Sequence, residues 1–281
     1  MNLNNNSLNL KNNFDFTIEE IELNNGKAYI NPKWNSYSLS NFLNKVNKID
    51  AVNNENSLVL YNKRNLLYKY NFMDTDLAVK KFILKRTYDK LRFRFLDSKA
   101  LRSLKIALAL NKIGVNTPAP VAVRDDRGHF NKLINSYYIT EYVNYDYNLL
   151  DIVKDNDHPL RYKIKKYLPY IARDARKMHD AGIIHNDFHA GNILCKDNKN
   201  HPEFYYIDLN RARIKKNITR KKRIKDLARL DLKENEKEIF FKNYSPKNYR
   251  IFIKLMKKQR NRRRRLINIK RKIRGFLNIR K

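Results

Sequence analysis

The stretch that most constrains this chain is Ile183-Ile-His-Asn-Asp-Phe-His-Ala-Gly-Asn-Ile-Leu-Cys195, followed by Phe204-Tyr-Tyr-Ile-Asp-Leu-Asn-Arg-Ala-Arg213. An apolar pair leads into His185-Asn-Asp187, and Asn192 stands five residues after Asp187. The apolar run Phe204–Ile207 reads as a short buried strand that delivers Asp208. A carboxylate such as Asp187 can take the proton of a hydroxyl placed beside it. The amide oxygen of Asn192 and the carboxylate of Asp208 are hard donors of the kind Mg²⁺ takes. Each residue alone has a bland reading. His185 by itself is a packed, hydrogen-bonded histidine, and we give it the structural role of holding the loop. A lone Asp after a strand is a turn former. It is the ordered set, with its fixed spacing and flanking strands, that points to chemistry.

The length of 281 residues suits one two-lobed domain or two small ones, and an apolar fraction of 42% is that of a globular chain. The formal net charge is +33. An AT-rich codon bias accounts for the Lys, Asn, Ile and Tyr but not for the many Arg. The charge therefore calls for an anionic partner: nucleic acid, an acidic membrane or a phosphorylated substrate. The single cysteine, Cys195, excludes an internal disulfide and a Cys-rich zinc site. It is expected to pack in the strand after Asn192. Met1–Asn13 is Asn-rich and lacks the apolar core of a signal peptide. No run approaches the roughly 20 apolar residues of a membrane span. A cytosolic protein that can sit at a membrane surface is expected.

Taken in order, residues 1–13 read as a disordered tail and residues 14–56 as an N-terminal extension. The extension holds a loose hairpin around Asn24-Asn-Gly26, a helix over Tyr37–Ile49, and a break at Asn53–Asn56. Three strands follow, over Leu58–Tyr61, Leu66–Tyr70 and Asp76–Phe82. Ser98–Ile113 reads as a helix, with Asp97 at its start as a cap or as an acidic partner for a nearby lysine. Gly114 ends it. Val121–Arg124 and Tyr137–Val143 form a strand pair across an expected turn at Asp125-Asp-Arg-Gly128. Pro159–Ala181 has helical spacing, stopped by Gly182, and Ile224–Asn235 and Pro246–Lys258 read as further helices.

The H-x-D-x-x-x-x-N loop resembles the catalytic loop of the protein-kinase-like superfamily. Within it, the chain looks like the lipopolysaccharide kinases that phosphorylate Kdo or heptose of the inner core. The likeness includes Ser98-Lys-Ala-Leu-Arg-Ser103, Gly114-Val-Asn-Thr-Pro-Ala-Pro120, Asp208-Leu-Asn-Arg-Ala-Arg213 and Lys225-Asp-Leu-Ala-Arg-Leu230. It implies an α+β, protein-kinase-like two-lobe fold. The small N-lobe, residues 57–143, would hold an antiparallel sheet plus one helix, and the C-lobe, residues 144–253, would be mainly helical. It further implies ATP and Mg²⁺ as cofactors, Asp187 as catalytic base, Asn192 and Asp208 as metal ligands, and Lys80, in Ala78-Val79-Lys80, on the ATP phosphates. Backbone at Glu141, Tyr142 and Val143 would read adenine. Arg211 and Arg213 would meet an anionic glycolipid substrate of the Kdo-lipid A type. Ser57–Lys80 contains no glycine, and no glutamate lies between Glu55 and Glu141. The protein-kinase glycine loop and the usual acidic partner of the lysine are therefore missing.

The activity implied is ATP-dependent phosphorylation of a sugar hydroxyl. The alternatives are another kinase-fold phosphotransferase, RIO-like or acting on a small molecule, and a basic pseudokinase that binds RNA or membrane. Lys254–Lys281 holds 14 Lys or Arg in 28 residues. Within it Leu266, Ile269, Ile273 and Phe276/Leu277 recur at helical spacing. That pattern is a basic amphipathic helix suited to an anionic surface.

Overall fold

A computed structural model describes residue 14 and residues 16–48, 56–63, 65–84, 87–198 and 201–278. The tail at 1–13 and most of the break at Asn53–Asn56 lie outside the described residues. The chain divides into two compact units, Met1–Tyr145 with Tyr205–Ile214, and Asp146–Phe204 with Lys215–Lys281.

The first unit is built on an antiparallel sheet. Its elements are β1 (Glu19–Leu23), β2 (Gly26–Ile30), α1 (Tyr37–Lys45), β3 (Ser57–Asn62), β4 (Asn65–Phe72), β5 (Thr75–Phe82), α2 (Thr87–Arg92), α3 (Lys99–Lys112), β6 (Pro120–Gly128) and β7 (Lys132–Glu141). The strand order is β1-β2-β6-β7-β5-β4-β3. Strand β2 pairs with β6, so the hairpin of residues 19–30 extends this sheet. Gly26 permits that pairing. Its φ is +145°, and a Cβ there would lie 2.1 Å from the Asp125 carbonyl oxygen. Helix α1 is capped by Ser36 and lays Leu39, Phe42 and Leu43 on Tyr68, Leu77, Val79 and Ile139. Full burial of each such aliphatic group contributes about 1.5–3 kcal/mol.

The turn expected at Asp125–Gly128 is not a turn. Strand β6 runs through it, and the chain reverses at His129–Asn131. Arg124 donates to Asp126 at 2.6 Å, Ser136 to Asp125 at 2.7 Å and Asn135 to Asp126 at 3.1 Å. With partners on its own strand and on β7, a run of charges can stay buried in a sheet. Burial pushes the Asp125 carboxyl above its ordinary range, opposed by Ser136 and by the Arg127 charge. Arg124 also donates to the Leu43 carbonyl, which ties the last turn of α1 to the sheet. The start of α3 is corrected as well. Ser98, not Asp97, caps it by accepting from the Leu101 N–H at 3.0 Å. Asp97 instead pairs with Lys105 at 2.7 Å.

The second unit holds β8 (Tyr147–Asn148), α4 (Leu149–Lys154), α5 (Lys163–Asp180), β9 (Ile183–Ile184), β10 (Ile193–Asp197), β11 (Pro202–Tyr206, its last two residues in the first unit), α6 (Arg220–Leu227), α7 (Glu234–Tyr244) and α8 (Tyr249–Asn278). The helix expected over Ile224–Asn235 is two helices, α6 and α7, separated at residues 228–233. Helix α5 buries Ile164, Leu168, Ile171, Ala175 and Met178 at helical spacing. Cys195 is buried in β10, and desolvation pushes its thiol up to about 12, so it is inert packing. Helix α8 is anchored at its start by buried Phe252 and Met256. Farther along, Arg260 donates to the Leu232 carbonyl at 3.2 Å and pairs with Asp231. From Asn261 to Ile269 the helix is exposed. Among the described residues no helix is long and apolar enough to cross a membrane.

Gly182 makes the reversal from α5 into β9. Its φ is +81°, and a Cβ would lie 2.2 Å from the Lys215 carbonyl oxygen. Gly182→Ala is expected to cost roughly 2 kcal/mol or more, since it adds left-handed strain to a backbone clash. Urea unfolding tests this, and an unchanged midpoint would contradict it.

Candidate active site

The loop His185–Asn192 is fixed from beneath by one buried carboxylate. Asp226, on α6, accepts the His185 backbone N–H at 2.9 Å and faces His179 Nε2 at 3.2 Å. A carboxylate only accepts, so His179 carries its proton on Nε2, and its Nδ1 accepts from the Tyr244 hydroxyl at 2.7 Å. Burial pushes Tyr244 up to about 12, which keeps it a donor. His185 is itself buried, with its ring edge-on to Phe188 at 5.9 Å. Asn186 then turns the chain through a left-handed residue, φ 61°, and places Asp187 next.

Asp187 and Asn192 are linked across the loop. Asn192 Nδ2 donates to the Asp187 backbone carbonyl at 2.9 Å, which fixes the Asn192 amide and turns its oxygen the other way. His189 accepts the Gly191 N–H at 3.1 Å and closes the turn before Asn192. The Asp187 carboxylate meets Arg229, whose Nη1 donates to Oδ1, and lies 3.8 Å from His189 Nε2. Arg263, on α8, belongs to the same charged group. On this exposed stretch its guanidinium is lowered by partial desolvation and by the Arg229 charge, and the Asp187 charge opposes them.

In the first unit, alternation along β5 buries Leu77 and Val79 and sends Lys80 to the other face. There Lys80 Nζ donates to Asp208 Oδ1 at 2.6 Å. Asp208 has a left-handed backbone, φ 59°, and the same oxygen accepts from Asn210. The strand leading to Asp208 is held by the Gly114–Pro120 segment. Thr117 Oγ1 donates to the Tyr206 carbonyl at 2.7 Å, and the Tyr206 N–H donates to the Asn116 carbonyl at 3.0 Å. Lys81 lies on the opposite side of the strand, over the Tyr137 ring at 5.5 Å. Two guanidinium groups converge beyond Asp208. Arg102 and Arg213 donate to the Asn210 carbonyl at 3.0 and 3.4 Å. Burial pushes Arg102 down to about 10, with the Arg213 charge adding to it. Arg213 is lowered by burial and by the charge of Arg92. Arg211 is exposed. At the end of β7 the N–H groups of Glu141 and Tyr142 already donate to the carbonyls of Ala119 and Asp76.

Sequence reasoning missed the roles of Asp226 and Arg229. Both stand in the quoted run Lys225–Leu230, where an acid and a base three residues apart were the available signal. Arg263 was counted only as tail charge.

An α+β fold with a seven-stranded antiparallel first unit and a mainly helical second unit, carrying this loop, defines a protein-kinase-like protein. A model of the lipopolysaccharide kinase (Kdo/WaaP) family matches residues 50–255, and the chain belongs to that family. Similar proteins include 3-deoxy-D-manno-octulosonic acid kinases of Haemophilus influenzae. That of strain PittGG is 26% identical over 160 residues, 53% of this chain and 64% of the relative. That of strain 86-028NP is 25% identical over 158 residues, with the same coverage. The chain thus spans about 64% of the length of these curated relatives. Among solved structures, WaaP in complex with acyl carrier protein shares the fold, with a TM-score of 0.52 and 19% identity over 73% of this chain and 87% of that one.

The carboxylate of Asp226 is expected to be irreplaceable. Asp226→Ala removes the one oxygen, Oδ2, that meets both the His185 N–H and His179 Nε2, and leaves two buried donors without it. It should cost about 2–3 kcal/mol. Thermal unfolding of the variant checks this, and wild-type stability would show that the loop is held by something else.

Proposed function

We propose that this protein is an ATP-dependent phosphotransferase that phosphorylates a sugar hydroxyl, of Kdo or heptose, in the lipopolysaccharide inner core. The observation that carries the reading is the loop in which Asn192 is bonded to the Asp187 backbone, in a chain that belongs to the Kdo/WaaP family. In this reading Asp187 takes the proton of the acceptor hydroxyl as its oxygen bonds to the γ-phosphorus of ATP, and the bond from that phosphorus to the β–γ bridging oxygen breaks and releases ADP. Arg229 holds the carboxylate in place and competes for the oxygen that would receive the proton. Lys80 neutralises phosphate oxygens of ATP, and the Val143 backbone reads the base beside the carbonyls of Glu141 and Tyr142. The oxygens of Asn192 and Asp208 are the hard donors that Mg²⁺ prefers, and few protein ligands suffice for a metal that arrives on a nucleotide. Bound Mg²⁺ would offset the charge on the phosphates. Most of the acceleration then comes from position and electrostatics.

The anionic character of the acceptor is supported by guanidinium pairs near each acid. Arg102 and Arg213 share one carbonyl in the first unit, and Arg229 and Arg263 share a charge field with Asp187 in the second. A planar guanidinium is suited to carboxylate and phosphate. The exposed stretch of α8 adds a peripheral contact with the cytoplasmic face of the inner membrane. Leu266, Ile269 and Ile273 are each about half exposed, along a helix that also carries Arg262–Arg265. The side chains of Phe276 and Leu277 lie outside the described ones.

Incubation with ATP, Mg²⁺ and Kdo-lipid A, read by product mass, tests the reading. One added phosphoryl group on the glycolipid is expected. Nucleotide binding without transfer to Kdo- or heptose-bearing acceptors would contradict it. Arg213→Ala is expected to raise the KM for the glycolipid about tenfold while changing that for ATP little. Equal effects on both would assign Arg213 to structure.

A further inference from the structure

The first unit carries an apolar surface that the active site does not use. Phe95 and Phe130 are each 84% exposed, Tyr88 69%, Leu91 53%, Ile134 51% and Leu96 49%. Scattered apolar residues on a surface are ordinary, but adjacent aromatic rings exposed to this degree are not. They stand on a small core of their own, Leu84, Phe93 and Leu133.

The surface is built, not left over. Arg94 lies between its two most exposed rings, 6.0 Å from the Phe95 centroid and 5.7 Å from that of Phe130. Its Nε donates to the Phe130 carbonyl at 2.6 Å, and Asn131 Nδ2 donates back to the Arg94 carbonyl at 2.9 Å. Arg127 braces both strands of the arrangement, donating to the Phe93 carbonyl at 3.0 Å and the Asn131 carbonyl at 3.3 Å. Phe130 and Asn131 are both left-handed, with φ 55° and 59°. A phenylalanine rarely adopts that conformation, and holding it there costs on the order of 1 kcal/mol or more. The left-handed pair makes the reversal between β6 and β7, and it leaves the Phe130 ring exposed.

Among the described side chains, the charges that lie over these rings are basic. Arg92 lies 5.7 Å from the Phe93 ring, Lys99 6.0 Å from it, and Lys132 follows the turn. The acid among the described side chains here, Asp97, is taken by Lys105. The Arg92 charge also reaches Arg213, which burial and that charge together lower. Apolar rings that need an apolar medium, with guanidinium groups at the same level, match a lipid–water interface that bears negative headgroups.

We infer that the Phe95–Phe130 surface docks on an anionic lipid bilayer, with Arg92 and Arg94 on headgroup phosphates and the two rings below them. The inference rests on the reading that the acceptor is lipid-borne, and it is independent of the contact assigned to α8.

Flotation of the full chain with phosphatidylcholine vesicles, with and without phosphatidylglycerol, provides the test. The double variant Phe95→Ser/Phe130→Asn should bind phosphatidylglycerol vesicles about tenfold more weakly. Its thermal midpoint should not fall, because Asn tolerates the left-handed turn. A ring that serves only the fold would show the reverse: unchanged vesicle affinity and lost stability, which overturns the inference. A second measurement uses Phe130→Trp in a Trp34→Phe background. Emission should shift to the blue with phosphatidylglycerol vesicles and not with phosphatidylcholine alone, and no shift overturns the inference. Transfer to a deacylated, water-soluble acceptor should be untouched by the double variant. If the wild type transfers phosphate to neither acceptor, the kinase reading fails while the vesicle results stand on their own.

Discussion

One buried carboxylate supports the loop His185–Asn192 of the second unit. Asp226 takes the His185 backbone N–H and faces the imidazole of His179, which is tied in turn to Tyr244. All four side chains are almost wholly buried. A backbone N–H held by a carboxylate fixes where the chain enters the loop, and the left-handed residues Gly182 and Asn186 fix its direction on either side. Asp187 and Asn192 inherit their positions from that arrangement. The loop is short and irregular, so it is held by side chains rather than by a ladder: Asp226 at its start, and Asn192 and Arg229 on Asp187.

The first unit solves the same problem by other means. Asp208 is presented by a left-handed turn after a buried strand, and the strand is clamped by Thr117 and Asn116. Lys80 reaches Asp208 because the pleat of β5 turns every second side chain away from the core. The glutamate partner that protein kinases give this lysine is absent between Glu55 and Glu141, and the ion pair with Asp208 stands in this structure. Asp97, the nearby acid in sequence, is spent on Lys105.

Much of this was legible in the residues. The hairpin at Asn24–Gly26, helices α1, α3 and α5, strand β5 and the Asp187–Asn192 loop all follow from local spacing, because each is made by residues close in sequence. The failures were long-range. Asp226 holds His185 across 41 residues, and the run that contains it looks like any charged helix. The stretch Asp125–Gly128 carries strong turn chemistry. It stays in β6 because Ser136, Asn135 and Arg124 satisfy its acids, and only the paired sheet shows this. Likewise the charge of +33 was read as a single anionic footprint. The structure divides it. Arg124, Arg127, Arg161 and Arg223 pair with acids inside their units, while Arg102 and Arg213 share the Asn210 carbonyl in the first unit, and Arg229 and Arg263 lie in the charge field of Asp187 in the second.

The account turns on Asp187 acting as a base held in a preformed loop. The direct measurement is single-turnover phosphoryl transfer by Asp187→Asn beside its affinity for Mg²⁺-ATP. Asparagine keeps the shape but cannot take a proton, so transfer should fall by about 10²–10⁴-fold while nucleotide affinity and thermal stability stay near wild type. Transfer at the wild-type rate by a variant that binds nucleotide normally would contradict the account.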